Sequence, residues 1–189
     1  MRILMLGNSF IFVNDLPSLL AELTGAEVVH HTRGGARLAE QLNPDTAMGA
    51  ATLAALRDEK WDFVILQEMS NGPITARESF LRSTKQLCER IRENGAVPIL
   101  YATWAYAKGS EKLQSFGMQY DEMADALYAA CHAAADENDI PVADVGERFR
   151  TLCDRVSLYA DDGCHPSPAG TRLAAECIAQ TIWEYNLRK

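Results

Sequence analysis

Short apolar runs alternate with segments of helical periodicity along this chain. Five of the runs have the length and the content of β-branched and aromatic residues that strands favour. They are Arg2 to Leu6, Glu27 to His31, Phe63 to Leu66, Val97 to Tyr101 and Val142 to Val145. Most are continuously apolar, which is typical of strands covered on both faces.

Five segments between and after these runs have apolar residues at helical spacing. Several carry terminal signals, such as a stop glycine, a Ser or Thr before the first turn, or a proline inside it. The predicted helices are Leu16 to Leu23 before Gly25, Ala47 to Leu56, Phe80 to Ile91 between a Thr75/Glu78 capping box and Asn94-Gly95, Tyr120 to Cys131, and Leu173 to Tyr185 after Ser167 and Pro168.

This alternation predicts an α/β fold with three layers, in which helices cover both faces of a five-stranded parallel sheet. Ligands bind such sheets beyond the carboxyl ends of the strands. Candidate site segments follow four of the predicted strands at that edge. They are Ser9, Gly34-Gly35, Gln67 to Asn71, and Thr103-Trp104.

Composition narrows the class of protein. The 189 residues predict a single domain, 1–189, and 48% hydrophobic with 23% charged residues is typical of a soluble globular protein. A net charge of −8 disfavours nucleic acids and anionic membranes as partners, because both require a basic surface.

Cysteine use and the N-terminus favour a cytoplasmic protein. The five cysteines are scattered without a Cys-x-x-Cys pair, so we expect reduced thiols rather than disulfides or a zinc site. No signal peptide is recognisable, although a mature exported form is compatible with the sequence. His30-His31 and Asp161-Asp162 lack metal-ligand spacing, so we expect neither a metal nor another cofactor.

Two short motifs near opposite ends of the chain carry the candidate chemistry. Gly7-Asn8-Ser9 follows the first strand, and Asp162 precedes His165 by three residues in a loop broken by glycine and proline. A serine hydroxyl becomes a good nucleophile when an imidazole takes its proton and a carboxylate orients that imidazole. Together the motifs supply all three groups.

Other interpretations of these motifs are weaker. The nucleophile elbow of α/β-hydrolases requires a glycine where this chain has Ile11, and a phosphate-binding loop requires a Gly-Lys-Ser/Thr that is missing. Each motif alone is also compatible with an ordinary turn. Their joint presence favours catalysis.

The two motifs resemble those of the SGNH or GDSL-type serine hydrolases. That family places a Gly-x-Ser turn after the first strand and an Asp-x-x-His block near the C-terminus, matched here by Gly7 to Ser9 and by Asp162 to His165. The resemblance implies a flavodoxin-like SGNH fold and ester hydrolysis through an acyl-serine intermediate. It also implies Ser9 as nucleophile, His165 as base and Asp162 as its orienting acid.

An esterase of this kind also needs donors for the developing oxyanion. We expect the backbone amides of Ser9 and of Gly35, or alternatively Gly34. The family's usual Gly-x-Asn-Asp block is missing after the third strand. Gln67 and Asn71 therefore compete as the third donor, and we prefer Gln67 because some carbohydrate-esterase branches carry Gln-Glu or Gln-Gly-Glu there.

The segment after the fourth strand is aromatic. Tyr101, Trp104 and Tyr106 either form a wall that binds substrate or belong to the core, and Trp104 is the best candidate for substrate contact. Cys164, between the acid and the base, is expected to fill the loop rather than to react.

The sequence contains no long apolar insertion for a lid or lipid tunnel. It therefore favours esters of short acyl groups, such as O-acetyl groups on carbohydrate, and we expect a small-molecule or oligosaccharide ester as the partner. The lipid and thioester substrates of lipases and thioesterases are less favoured. An O-acyltransferase and a catalytically silent carbohydrate-binding relative remain alternatives. The sequence does not indicate the oligomeric state.

Overall fold

The five apolar runs form one sheet in the computed structural model of the protein, which describes residues 1–188. All neighbouring strands are parallel, and their order is β2-β1-β3-β4-β5. The strands are β1 Arg2–Gly7, β2 Glu27–Thr32, β3 Phe63–Leu66, β4 Val97–Tyr101 and β5 Val142–Ala143. The predicted α/β fold is thus confirmed. The last strand is shorter than predicted because Val145 already begins a helix.

All five predicted helices are present. They are α2 Leu16–Thr24, α4 Ala47–Asp58, α6 Arg77–Asn94, α8 Tyr120–Asn138 and α10 Pro168–Leu187. Shorter helices, which carry too few turns for a periodic signal, complete the connections. They are α1 Ser9–Phe12, a 3₁₀ turn at Val13–Asp15, α3 Leu38–Gln41, α5 Gly72–Thr75, α7 Glu111–Phe116 and α9 Val145–Leu152.

Helix ends follow the sequence signals with one exception. Gly25 and Gly95 end α2 and α6 in the left-handed conformation, and the Ser167 hydroxyl accepts from the Gly170 amide at the start of α10. The predicted Thr75/Glu78 capping box is wrong. Thr75 is the last residue of α5, and its hydroxyl donates to the Asn71 carbonyl instead.

Successive strand residues face opposite layers of the core, as the pleat of a strand requires. Ile3 and Met5 of β1 belong to the cluster that packs under α2 and α10, whereas Leu4 and Leu6 belong to the cluster under α4 and α6. The sheet is therefore covered on both faces. Along residues 1–188, no helix combines the length and apolar content needed to cross a bilayer.

The strand order reverses next to β1. The chain moves from β1 outward to β2, then returns to the other side of β1 to form β3, whose Leu66 pairs with Leu6. Such a switch point opens a crevice beyond the carboxyl ends of the two central strands. Ser9 follows β1 and Gln67 follows β3 at this crevice.

Candidate active site

Ser9, His165 and Asp162 form a continuous hydrogen-bonded chain at the switch point. Ser9 is the first residue of α1, one position after Asn8 ends the turn from β1. Its Oγ lies 2.9 Å from Nε2 of His165, and Nδ1 of the same imidazole lies 2.5 Å from Oδ2 of Asp162. The fold thus brings together two motifs that are 156 residues apart.

Asp162 is held as a carboxylate by the loop that it begins. Its Oδ1 accepts hydrogen bonds from the backbone amides of Cys164 and His165, both at 2.9 Å. Partial burial opposes ionisation, but the hydrogen bonds from the His165 ring and from these two amides outweigh it and lower the pKa of Asp162 to about 2. The carboxylate is therefore available to orient the imidazole throughout the neutral range.

The loop that carries the acid and the base is fixed from several sides. Gly163 adopts a φ of 65°, and a side chain there would collide with Ser110, the N-cap of α7. The Gly163 carbonyl accepts from the Ala107 amide at 2.8 Å, and the Pro166 carbonyl accepts from Asn14 Nδ2 at 3.0 Å. The glycine between Asp162 and His165 is thus required by geometry.

Trp104 lies behind the site rather than in it. The residue is 1% exposed, and its ring is stacked between Phe10 at 4.6 Å and Phe149 at 3.9 Å, measured between ring centroids. Tyr101 and Tyr106 are also buried. The expectation that Trp104 contacts substrate is therefore wrong, because both faces of its ring are already covered by protein.

Two backbone amides beside Ser9 have no protein acceptor. Residues 33–37, called the Gly35 loop below, form a turn in which the Ala36 amide donates to the Arg33 carbonyl at 3.0 Å and Gly35 has a φ of 68°. Asn8 Nδ2 donates to the Ala36 carbonyl at 3.1 Å, which ties this loop to the turn that carries the serine. Within residues 1–188, no acceptor satisfies the amide of Gly35 or that of Ser9. Both amides are therefore free of protein partners within the described residues.

Gln67 supports the site from below. Its side chain is fully buried, Oε1 accepts from the Asn8 amide at 3.0 Å, and Nε2 donates to the Glu68 carbonyl. It packs so closely beneath Gly7 that a Cβ there would lie 2.5 Å from Oε1. The preference for Gln67 as third oxyanion donor is therefore corrected, since a carboxamide with no exposed surface and two backbone partners is not presented to substrate.

Asn71 remains the candidate for the third donor. It is half-buried, at the start of α5, and its Oδ1 accepts a long hydrogen bond from the Thr75 hydroxyl at 3.4 Å. Nearby, burial raises the pKa of Tyr106, and the 3.0 Å hydrogen bond between its hydroxyl and Ser70 Oγ partly offsets this. These groups line the same edge of the sheet as the triad.

Cys164 is buried, and burial raises the pKa of its thiol despite nearby Lys112 and Ser70. The thiol is therefore a loop filler, as expected, and not a second nucleophile.

Sequence reasoning missed Asn8 and Asn14. A polar residue between a strand and a serine is a recognisable N-cap signal, and Asn8 indeed caps α1 through Oδ1. Asn14 gave no signal, although it and Asp15 both have a φ of 55°, in the left-handed region that Asn and Asp adopt more readily than other non-glycine residues. This conformation accompanies the hydrogen bond from Asn14 to the residue after His165.

Comparison with known proteins identifies the family. The family model described as GDSL-like Lipase/Acylhydrolase matches residues 8–173. The chain belongs to this family. It is a hydrolase of the SGNH/GDSL type that acts on ester bonds.

Solved structures agree with this assignment. A protein from Slackia heliotrinireducens, described as an SGNH hydrolase, is 51% identical with a TM-score of 0.92, and the match covers 96% of this chain and 98% of that one. An acetyl xylan esterase, AlAXEase, shares the fold at 15% identity and a TM-score of 0.72, covering 98% and 99% of the two chains. An acetyl-xylooligosaccharide esterase from a Geobacillus does so at 16% identity and 0.70, covering 96% and 93%. No curated protein matches the chain.

Proposed function

We propose that this SGNH/GDSL hydrolase is a serine esterase that removes short acyl groups, acetyl above all, from polar alcohols such as sugars through an acyl-serine intermediate. The observation that carries the proposal is the hydrogen-bonded chain from Ser9 through His165 to Asp162. The groups have the residue types, order and spacing that nucleophilic acyl transfer requires.

In the first half-reaction, Ser9 Oγ attacks the ester carbonyl carbon while His165 Nε2 takes the hydroxyl proton. The carboxylate of Asp162 orients the ring and stabilises the imidazolium that forms. The carbonyl oxygen becomes an oxyanion that accepts from the amides of Ser9 and Gly35 and from the carboxamide of Asn71. The intermediate then expels the alcohol, which leaves with the proton from Nε2.

In the second half-reaction, water takes the place of the alcohol. His165 Nε2 removes a proton from the water as its oxygen attacks the acyl carbon of the Ser9 ester. A second oxyanion forms at the same donors and collapses. Ser9 Oγ leaves with the proton from Nε2, the carboxylic acid is released, and the triad returns to its starting state.

The preference for a polar alcohol is supported by polar side chains that follow β3 and β4, at the same edge of the sheet as the triad. Asn71 is half-buried, and Lys112 is exposed with its Nζ 5.4 Å from the centre of the Tyr106 ring, so both offer polar groups to a ligand. The large aromatic rings of this edge are buried, so they offer no groove to a long acyl chain. The acetyl xylan and acetyl-xylooligosaccharide esterases among the neighbours make the same substrate class reasonable.

Covalent labelling of the serine tests the proposal. We expect a fluorophosphonate to modify Ser9, as located by mass spectrometry, and to abolish hydrolysis of nitrophenyl acetate. Ser9→Ala should prevent labelling and lower the turnover number by about 10⁴-fold or more. Ser18→Ala is the control, because it removes an exposed serine of α2 that has no part in the proposed mechanism. A Ser9→Ala variant with wild-type activity would end the proposal.

A further inference from the structure

Glu68 is a buried carboxylate that the proposed mechanism does not use. It follows Gln67 beyond the end of β3 and is only 5% exposed. Its Oε2 accepts from the Leu38 amide at 3.1 Å, and its Oε1 accepts from the Met69 amide at 2.8 Å. Burial raises the pKa of Glu68 even though these two amides favour the ionised form.

A carboxylate is an expensive group to bury without a cationic partner. Among residues 1–188, no lysine or arginine forms an ion pair with Glu68. Its contacts are backbone amides, and one of them belongs to a different segment of the chain. Leu38 begins α3, immediately after the Gly35 loop. The side chain therefore joins the loop that follows β3 to the loop that follows β2.

Glu40 of α3 accepts from the Arg37 amide at 3.0 Å and pairs with the Arg33 guanidinium, so these bonds are local and do not tie the Gly35 loop to other segments. Gly34 and Gly35 are both exposed, and a side chain at either position would meet open space. Asn8 Nδ2 holds the loop at the Ala36 carbonyl, and Glu68 holds its end at the Leu38 amide, two residues further on. These two buried hydrogen bonds lie on the C-terminal side of Gly35 and fix the backbone that carries its free amide.

We propose that Glu68 is a positioning residue that holds the Gly35 loop where the Gly35 amide can donate to the reacting carbonyl oxygen. The proposal rests on the esterase function proposed above. An oxyanion donor acts mainly in the transition state, so a loop that drifts should lower the turnover number and leave the Michaelis constant nearly unchanged. Misplacement by about 1 Å can lower a rate by about 100-fold.

The packing around the carboxylate is consistent with a fixed position. Gly72, the first residue of α5, lies against it, and a Cβ at that position would be 2.7 Å from Oε1 and 2.8 Å from Cγ of Glu68. The absence of a side chain at Gly72 therefore provides the room that the buried carboxylate occupies. Gly72→Ala should displace the carboxylate and reproduce part of the effect of changing Glu68 itself.

Two pairs of variants isolate the hydrogen bond. Glu68→Gln keeps the shape of the side chain but leaves a single acceptor oxygen for two amides, and Glu68→Ala removes both acceptors. Leu38→Pro removes the donor at a first-turn helix position that tolerates proline, and the extended conformation of Arg37 suits a residue before proline. Leu38→Ala is its control, because it shortens the same buried side chain but keeps the N–H.

The measurements are kcat and KM for nitrophenyl acetate, the fraction of sites titrated by a fluorophosphonate, and the thermal unfolding midpoint. We expect Glu68→Ala and Leu38→Pro to lower kcat by about 10- to 100-fold, with KM unchanged and full site titration. The kcat of Glu68→Gln should lie between the values of these variants and wild type, and Leu38→Ala should keep the wild-type kcat. Combining Glu68→Ala with Leu38→Pro should lower kcat no further than either alone, since both remove the same bond.

A second control separates positioning from general stability. Asn94→Ala breaks other hydrogen bonds of a buried side chain, from Asn94 Nδ2 to the carbonyls of Leu56 and Glu59 at 2.7 and 2.8 Å, and these involve neither the Gly35 loop nor α3. We expect it to lower the unfolding midpoint and leave kcat unchanged. The proposal is overturned if kcat falls only in proportion to the titrated sites, or if folded Glu68→Gln, Glu68→Ala and Leu38→Pro all keep wild-type kcat. A wild-type protein without Ser9-dependent hydrolysis would instead refute the esterase function.

Discussion

The indole Nε1 of Trp104 donates a 3.0 Å hydrogen bond to the carbonyl oxygen of Cys164, the residue immediately before His165. The same indole ring stacks on Phe10, the residue immediately after Ser9, and the Phe10 ring meets the His165 imidazole edge-on at 5.6 Å. One buried side chain therefore contacts both the segment that carries the nucleophile and the segment that carries the base.

Trp104→Phe should keep most of the stacking and remove the donor. The Cys164 carbonyl would then be buried without its partner, so we expect the free energy of unfolding to fall by about 1–3 kcal/mol. We also expect a lower kcat, because the backbone before His165 loses a fixed contact. Urea unfolding and steady-state kinetics on nitrophenyl acetate measure the two effects.

Trp61→Phe is the matched control for this prediction. Trp61 is also buried, and its Nε1 donates to the Ala55 carbonyl at 3.1 Å, on the opposite layer of the fold from Trp104. It should lose similar stability and keep its kcat. Equal losses of kcat in the two variants would mean that Trp104 acts only through global stability.

Asp162 should make stability depend on acid pH. The folded protein holds the pKa of this carboxyl at about 2, whereas an aspartate in an unfolded chain titrates near about 4. A depressed pKa stabilises the fold above the unfolded value, and this contribution is lost as the pH falls through the folded value. We therefore expect wild type to be more stable than Asp162→Asn at pH 7, and the difference to shrink between about pH 4 and pH 2.

Urea unfolding of both proteins at a series of pH values measures that difference, and other acidic groups cancel between them. A gap that stays constant down to pH 2 would contradict the prediction. Asp162→Asn should also lower kcat at pH 7 by about 10³–10⁴-fold, because an amide cannot orient and stabilise the imidazolium as a carboxylate does.

The sheet and the long helices were predictable because their signals are local. Phe63–Leu66 and Val97–Tyr101 are apolar runs of strand length, and the structure gives them the predicted bounds. Val142 to Val145 was overextended, since an apolar residue that begins a helix looks the same as one that ends a strand. The false capping box arose because Asn71-Gly72-Pro73 starts a short helix that already includes Thr75.

The site was predictable only where a motif carried the chemistry. Ser9, Asp162 and His165 stand in recognisable blocks, but nothing local reveals that Phe10 and Phe149 enclose the ring of Trp104. The orientation of the Gln67 carboxamide likewise depends on the Asn8 amide, which lies 59 residues away along the chain. Long-range partners of this kind determine whether a side chain faces substrate or supports the residues that do.

Asn71→Ala and Gln67→Ala should therefore differ in kind. Asn71→Ala removes the proposed third donor, so we expect kcat to fall by about 10²–10³-fold with little change in KM or stability. Gln67→Ala leaves the buried Asn8 amide without an acceptor, and it should lower the free energy of unfolding by about 1–3 kcal/mol. Steady-state kinetics and urea unfolding of both variants measure the two effects and show which residue acts as the donor. A kcat loss confined to Gln67→Ala, with unchanged stability, would return the donor role to Gln67.

Acyl length tests the substrate class. Trp104, Tyr101 and Tyr106 are each at most 3% exposed, so the aromatic segment after β4 provides no apolar surface for a long chain. The accessible side chains that follow β3 and β4 include the polar groups of Asn71 and Lys112. Since a longer acyl chain would gain little buried apolar contact here, kcat/KM on nitrophenyl esters should fall from acetate through butyrate to octanoate.

Acetylated oligosaccharides should release acetate in a Ser9-dependent reaction, with Ser9→Ala as the control. A preference for octanoate would refute the short-chain assignment and favour a lipid or thioester substrate.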